Sequence, residues 1–243
     1  MLFETLDPST QINGLFGFIA LPISLIMGIS IFYKYFKLKD KILLIFAFAI
    51  MFTNSPWYPS QIGYIIWLIT QEIITFRTYV LMGTVAVPIA ILSWLYIYLT
   101  TIKPEKLKIV MYAYLIFSII FYIYLFTFLY LPGANTDVLI GEVEKPLDVN
   151  YRGFVFIYLS IAAISSMITG LHFSIKSTKE QSILVKWKGK ILLLSFLLFG
   201  IGAFGDVIET LILFRILLVI AQILFYLGFM MPNFMKKILK IEE

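Results

Sequence analysis

The sequence lacks cysteine and holds a single histidine, His172. Without thiols the chain forms no disulfide, no thiolate metal site and no cysteine nucleophile. A protein-bound zinc ion needs three or four side-chain ligands, which one histidine without suitable neighbours does not supply. We therefore expect no metal site, and we expect His172 to cap a helix or to lie at an interface.

The chain also lacks the short motifs of common enzymes. It contains no H-E-x-x-H, no G-x-S-x-G and no phosphate-binding glycine loop. The pair Asp206 and Glu209 is too little for a two-carboxylate acid–base site. A retinal-binding pump needs a lysine midway along its last helix, and the last apolar run, 211–231, has none. We expect no catalytic residue, no cofactor and no enzymatic activity.

Charge is scarce throughout the chain. Charged residues make up 14% of the sequence, hydrophobic residues make up 61%, and the mean hydropathy is +0.96. Globular chains are nearer a quarter charged, and a folded surface in water cannot hide this much apolar side chain. The net charge of +5 is divided among short clusters between apolar runs, which argues against a nucleic-acid surface. The composition predicts an all-α, multi-pass protein of the cell membrane whose principal partner is the lipid bilayer.

Long apolar runs define the expected spans. A hydrocarbon core about 30 Å thick takes roughly 20 helical residues. Five runs are long enough, and two shorter ones suffice if the lysines beside them reach back to the headgroups. We therefore predict a single membrane domain over 1–243, a seven-transmembrane-helix bundle with spans at about 12–33, 42–54, 78–102, 109–131, 154–175, 187–205 and 211–231.

Two further segments lie between these runs. Residues 57–75 contain an apolar stretch but also Gln71 and Glu72. An eighth span there would place the lysines at 103–108 outside the cell, and half of the chain would then violate the rule that basic residues lie on the cytoplasmic side. We predict an interfacial or re-entrant element on the outer face instead, since its Trp and Tyr side chains suit the headgroup region. Residues 132–150 are predicted to form an outer loop in water, with room for a short hairpin, because irregular backbone cannot face lipid.

The lysines set the expected orientation. Fifteen of the 19 basic residues fall in alternate connections, and cytoplasmic connections carry such an excess. This places the N-terminus outside the cell and the C-terminus in the cytoplasm. The clusters are Lys34, Lys37, Lys39 and Lys41; Lys103, Lys106 and Lys108; Lys176, Lys179, Lys186, Lys188 and Lys190; and Lys236, Lys237 and Lys240.

Polar side chains in or beside the spans are the candidate functional residues, because ionisable groups at membrane depth are costly. One hypothesis places them around an outward-facing ligand pocket. In the alternative, Arg215 pairs with Asp206 or Glu209, Arg77 reaches the headgroups, and Gln222 only holds helices together. Pro88 is expected to kink the third span. The pocket candidates are Glu72, Arg77, Asp206, Glu209, Arg215 and Gln222.

Three stretches carry a family resemblance. They are Phe76-Arg-Thr-Tyr-Val-Leu-Met-Gly-Thr-Val-Ala-Val-Pro88, the basic segment Lys186-Trp-Lys-Gly-Lys-Ile-Leu-Leu-Leu194, and Tyr226-Leu-Gly-Phe-Met-Met-Pro232 before a basic tail. The chain resembles the seven-transmembrane-helix N-terminal sensor region of histidine kinases and related signalling proteins. The resemblance implies an outward-facing sensor that relays ligand binding to the cytoplasm. Since eleven residues follow Pro232 here, signalling is expected to pass through a separate cytoplasmic partner or a homo-oligomer.

Three functions stay open on the sequence. The first is a non-catalytic, receptor-like or sensory protein with an outward-facing polar pocket. The second is a small-solute or ion transporter or channel, with Gln222 and Pro88 on the permeation path. The third is a structural subunit of a membrane complex.

Overall fold

The structure, a computed structural model, describes residue 6, residues 8–208 and residues 212–241, and the predicted site residue Glu209 lies outside them. Most of these residues are helical. Short 3-10 helices lie at Ser55–Trp57 and Pro104–Lys106. The described elements are α1 (Pro8–Leu38), α2 (Lys41–Thr53), α3 (Tyr58–Thr70), α4 (Phe76–Thr84), α5 (Val87–Ile102), α6 (Leu107–Tyr130), α7 (Thr136–Leu139), β1 (Gly141–Lys145), β2 (Asp148–Tyr151), α8 (Gly153–Thr178), α9 (Ile183–Ile208), α10 (Ile212–Met230) and α11 (Asn233–Ile238).

Seven segments of the described chain are long and apolar enough to cross a membrane. The expected mostly helical fold with seven candidate spans is thereby confirmed, while the side on which each terminus lies stays a prediction. The segments are Leu21–Leu38, Lys41–Thr70, Phe76–Ile102, Pro104–Tyr130, Gly153–Thr178, Ile183–Asp206 and Ile212–Met230.

The chain divides into two compact units, Met1–Ala162 and Ala163–Glu243. The first unit holds α1 to α7, the β-hairpin and the first part of α8. The second holds the rest of α8 with α9, α10 and α11.

In the first unit, α2, the 3-10 turn and α3 follow one another as a continuous rod, and α1 packs along the whole of this rod. Residue numbers fall along α1 as they rise along this rod, so the two run antiparallel. Small residues on α1 allow the close approach, since a Cβ on Gly14 or Gly28 would overlap the facing side chain. The paired positions are Gly28 with Met51, Ser24 with Asn54, and Gly14 with Tyr64.

The structure differs here from the sequence-based boundaries. Residues 57–75 were expected to form a separate outer-face element after a span at 42–54, whereas the second candidate span covers Lys41–Thr70. Two prolines explain how the rod continues. Pro56 lies in the 3-10 turn and Pro59 in the first turn of α3, where a missing backbone N–H breaks no helical hydrogen bond. The rod ends at Gln71, which takes a left-handed conformation with φ of 58°.

The third candidate span is interrupted at its predicted kink. Pro88 lies in the first turn of α5, and the chain leaves regular helix between Thr84 and Val87. Proline removes the N–H that would bond to the carbonyl four residues earlier. The Tyr122 hydroxyl of α6 donates to the Val85 carbonyl at 2.7 Å, so a neighbouring helix satisfies a backbone group at the break.

The expected outer loop at 132–150 contains the hairpin for which the sequence left room. Strands β1 and β2 pair antiparallel, with Gly141 opposite Tyr151 and Lys145 opposite Asp148. The ladder is irregular between Val143 and Lys145, where Glu144 forms a bulge. Pro146 and Leu147 make the connecting turn.

In the second unit, α9 and α10 form a tightly packed antiparallel pair. A Cβ on Gly205 would overlap the ring of Phe214, which shows how closely the helices approach. The Ser195 hydroxyl of α9 donates to the Ala221 carbonyl at 2.7 Å. At the far end of the pair, the Lys188 ammonium donates to the Phe229 carbonyl at 3.3 Å and so supplies a donor near the C-terminus of α10.

Candidate functional site: a cavity beneath the β-hairpin

Arg215 and Asp206 form a buried ion pair in the second unit. Arg215 Nε donates to Asp206 Oδ1 at 3.2 Å, and the two side chains are 10% and 11% exposed. The pair joins the end of α9 to the start of α10. This is the arrangement that the structural alternative predicted, in which the arginine neutralises a carboxylate of the adjacent turn.

Gln222 lies on the buried face of α10. Its side chain is 4% exposed, and the preceding residue, Ala221, accepts a hydrogen bond from the Ser195 hydroxyl of α9 at its carbonyl. A buried amide at such a position contributes to helix packing, typically by roughly 0.6 to 2 kcal/mol. The placement agrees with the alternative in which Gln222 holds helices together.

Glu72 and Arg77 belong to the first unit and do not form an ion pair with each other. Both side chains are exposed. The Arg77 guanidinium lies over the ring of Tyr130, 5.3 Å from its centroid, while the backbone N–H of Glu72 donates to Thr70 Oγ1 at 3.1 Å. The stacking of Arg77 was not anticipated, because its partner ring comes from a different span.

A cavity of about 360 Å³ opens between the α3–α4 connection and the hairpin, within the range of small-ligand pockets. Glu72 and Arg77 flank in sequence the stretch that supplies one of its walls. That wall is formed by Ile73, Ile74, Phe76 and Tyr79, and the hairpin supplies Val143, Glu144, Lys145, Pro146, Asp148 and Val149.

The tip of the hairpin is anchored on α3. Leu147 is 3% exposed and forms a buried cluster with Leu6 and Tyr64. Trp67 packs against the same cluster and stacks on Tyr64, with ring centroids 5.9 Å apart. Gly63 leaves room for this contact, because a Cβ there would lie 3.0 Å from the Leu147 side chain.

The base of the hairpin is anchored separately. Arg152 forms an ion pair with Glu142, and the Tyr124 hydroxyl of α6 donates to the Leu139 carbonyl at 2.8 Å. Gly153 starts α8 with φ of 55°, and a Cβ there would lie 2.5 Å from the Leu139 carbonyl oxygen, so the position requires glycine. The hairpin that lines the cavity is therefore held at its tip and at its base.

Three charged side chains line the hairpin wall. Lys145 and Asp148 are register partners at the turn, and Asp148 is half-buried. Glu144, at the bulge, is exposed and makes no ion pair with any residue that the structure describes. The wall thus carries two carboxylates and one ammonium group, in a chain whose net charge is +5.

Helices α3 and α4 and strand β2 each contribute a buried tyrosine or serine hydroxyl group near this wall. The ring of Tyr79 lines the cavity, and its hydroxyl shares a hydrogen bond of 2.9 Å with Ser60 Oγ on α3. The Tyr151 hydroxyl is buried and has no hydrogen-bond partner among the described residues. It lies against Gly83 of α4, since a Cβ on that residue would stand 2.5 Å away.

The pKa of the Tyr151 phenol is raised well above its usual 10. Burial is the main cause, and the phenol of Tyr79 and the carboxylate of Asp148 raise it further. The hydroxyl therefore stays protonated in the folded protein at neutral pH and keeps its capacity to donate a hydrogen bond.

The sequence did contain a signal for part of this site. Leu147, Val149 and Tyr151 alternate with Asp148 and Asn150, which is the period-two pattern of a strand with one buried face. The pattern is short and follows acidic turn residues, so the outer loop was expected to offer at most a hairpin and no binding wall.

Comparison with protein-family models, with curated proteins and with solved structures finds no match for this chain. The resemblance to the sensor region of histidine kinases therefore stays an expectation drawn from the sequence.

Proposed function

We propose that this chain is a receptor-like protein of the cell membrane that binds a small ligand in the hairpin cavity and signals without catalysis. The cavity then faces the outside of the cell, as the lysine distribution predicts. The single observation that carries the proposal is the cavity itself, one wall of which is a β-hairpin whose tip and base are anchored on different helices.

The walls of the cavity suggest how occupancy reaches the membrane. Ile73 and Ile74 connect the second and third candidate spans and Phe76 begins the third, so a ligand in contact with them acts on both helices. Tyr79 links the two through its hydrogen bond to Ser60. The break before Pro88, at residues 85 and 86, lies six to seven residues after Tyr79 in the same span and is a point at which the helix can bend. We place the first step of signalling in this path.

The pocket expected from Glu72, Arg77, Asp206, Glu209, Arg215 and Gln222 is thus replaced by one built on the first unit. Arg215, Asp206 and Gln222 are assigned to helix packing. A separate cytoplasmic partner, or a second copy of the chain, receives the signal at the lysine-bearing connections.

Ligand-dependent stabilisation tests the proposal. The purified protein in detergent is heated with a panel of small amines, alcohols and carboxylates that carry phenyl, cyclohexyl or butyl groups. At least one compound is expected to raise the unfolding temperature, because a ligand that binds only the folded state stabilises it. Val143→Trp fills the cavity from its rim and should abolish the response, since Val143 is 55% exposed and its replacement leaves the core intact.

Val138→Trp is the matched control. Val138 is 58% exposed on α7 and does not line the cavity, so this variant should respond like the wild type. Absence of any response, or an equal response from Val143→Trp, refutes the proposed site. Saturable flux of a panel compound into proteoliposomes would favour the transporter alternative over a receptor.

A further inference from the structure

We infer that the hairpin cavity selects a small organic ammonium ion with an apolar body. This inference rests on the proposed function and adds the chemical class of the ligand. It follows from which charges, rings and hydrogen-bonding groups the cavity wall presents.

The charged groups favour a cation. Lys145 and Asp148 are register partners at the turn and both line the cavity, so the one ammonium group of the wall stands near one of its two carboxylates. Glu144 is left as a carboxylate without an ion pair among the described residues, and it lines the cavity. The guanidinium of Arg77, the nearest other cation in sequence, is not part of the wall and lies over Tyr130.

The rings favour the same charge. Phe76 and Tyr79 both line the cavity, and the face of an aromatic ring attracts ammonium groups. The Tyr79 hydroxyl already shares a hydrogen bond with Ser60, so it is a poor hydrogen-bond donor for an anionic ligand. An anionic ligand would meet two carboxylates in the wall against the single ammonium group of Lys145.

The remainder of the wall is apolar. Ile73, Ile74, Val143, Pro146 and Val149 surround the space. A ligand that fills it buries hydrocarbon against these side chains while its charged end stays at the acidic rim. The cavity is thus matched to an amphipathic amine better than to an inorganic cation, which has no apolar part to bury.

Three probes of nearly equal size and different charge test the selectivity. Unfolding temperature and intrinsic fluorescence are titrated with 2-phenylethylammonium, 2-phenylethanol and phenylacetate on the purified full-length protein. The ammonium compound should bind most tightly and phenylacetate most weakly. Glu144→Gln and Asp148→Asn should each weaken ammonium binding by about fivefold, a typical effect of one partly exposed charge pair. The affinity for 2-phenylethanol should hardly change in either variant.

Two further variants separate site charge from overall charge. Lys145→Gln should tighten ammonium binding, because Lys145 is the one basic residue among the described residues that line the cavity. Asp137→Asn removes an exposed carboxylate from α7, outside the cavity, and should leave binding unchanged.

The outcomes distinguish this inference from the proposed function. If 2-phenylethanol or phenylacetate binds as tightly as the ammonium compound, and Val143→Trp abolishes that binding, the cavity is a ligand site but the inferred charge preference is wrong. If ammonium binding persists unchanged in Val143→Trp, or falls as much in Asp137→Asn as in Glu144→Gln, the inference fails as well. If none of the probes binds, both the ligand class and the proposed site lose their support.

Discussion

At the scale of single residues, the ion pair of Arg215 and Asp206 is the most consequential polar contact of the second unit. Its side chains are 10% and 11% exposed, so neither charge is well solvated. Desolvation makes such a pair a weak net stabiliser, yet removal of one partner leaves a poorly solvated charge. The two effects can be separated by replacing the partners singly and together.

Arg215→Met is expected to lower the free energy of unfolding by about 3 kcal/mol. The double variant Arg215→Met with Asp206→Leu should recover most of that loss. Denaturant titration in detergent, followed by circular dichroism, measures both. Arg77→Met is the control: its arginine is exposed and stacks on one ring, so its loss should cost below about 1 kcal/mol. Equal losses for Arg215→Met and Arg77→Met would contradict a buried pair.

Tyr151 gives a prediction for alkaline pH. Its folded-state pKa lies well above 10, whereas in the unfolded chain the phenol titrates near 10. The unfolded state therefore loses this proton first. Stability from this group is intact below pH 10 and declines as the pH rises above 10, since the folded state binds more protons than the unfolded one.

Tyr151→Phe should remove this part of the decline, which unfolding midpoints between pH 9 and pH 11.5 will show. At pH 7 the replacement should be neutral or slightly stabilising, because the hydroxyl has no hydrogen-bond partner among the described residues. Parallel pH profiles of the wild type and Tyr151→Phe would show that the phenol titrates normally.

Residue-scale predictions from the sequence succeeded where the partners are close along the chain. Asp206 and Arg215 are nine residues apart, near the end of α9 and the start of α10, so their contact followed from spacing. Arg77 and Tyr130 lie on different spans, and apolar helices carry no signal in their sequences for which faces meet. Tyr79 and Ser60 were missed for the same reason.

At the scale of elements, the break before Pro88 depends on a neighbouring helix. Among the described residues, the Tyr122 hydroxyl reaches the Val85 carbonyl from α6. A backbone group without a partner is costly in lipid, so this contact stabilises the interruption.

Tyr122→Phe should therefore destabilise the protein by about 0.6 to 1 kcal/mol, the usual contribution of a hydrogen bond between membrane helices. Thermal unfolding in detergent measures the change. Tyr112→Phe on the same helix is the matched control, because Tyr112 is 65% exposed, and it should have no effect. A larger loss in Tyr112→Phe than in Tyr122→Phe would refute the assigned role.

Element positions were largely readable from the sequence, because long apolar runs specify membrane helices directly. The continuous rod of α2 and α3 could not be predicted from the sequence. Asn54-Ser-Pro-Trp-Tyr-Pro59 has the composition of a turn, and its prolines become compatible with a rod only because they fall in first-turn positions. Contact with α1 on both sides of the 3-10 turn decides the outcome.

At the scale of the whole molecule, the positions of the lysines make the orientation testable. The chain has no cysteine, so single cysteines can be introduced without removing any. Val143→Cys should react with a membrane-impermeant maleimide on intact cells, and Lys179→Cys should react only after the cells are opened. Labelling of Lys179→Cys from outside would reverse the orientation and place the cavity in the cytoplasm.

The length of α1 bears on where a ligand meets the protein. Its 31 residues extend for about 46 Å, against a hydrocarbon layer about 30 Å thick. If α1 runs along the bilayer normal, it and its partner rod extend beyond the acyl chains, and the unpaired edges of the two strands near the end of α3 disfavour a position in that layer. In that placement a solute dissolved in water would reach the proposed ligand cavity by diffusion alone, without partitioning into lipid.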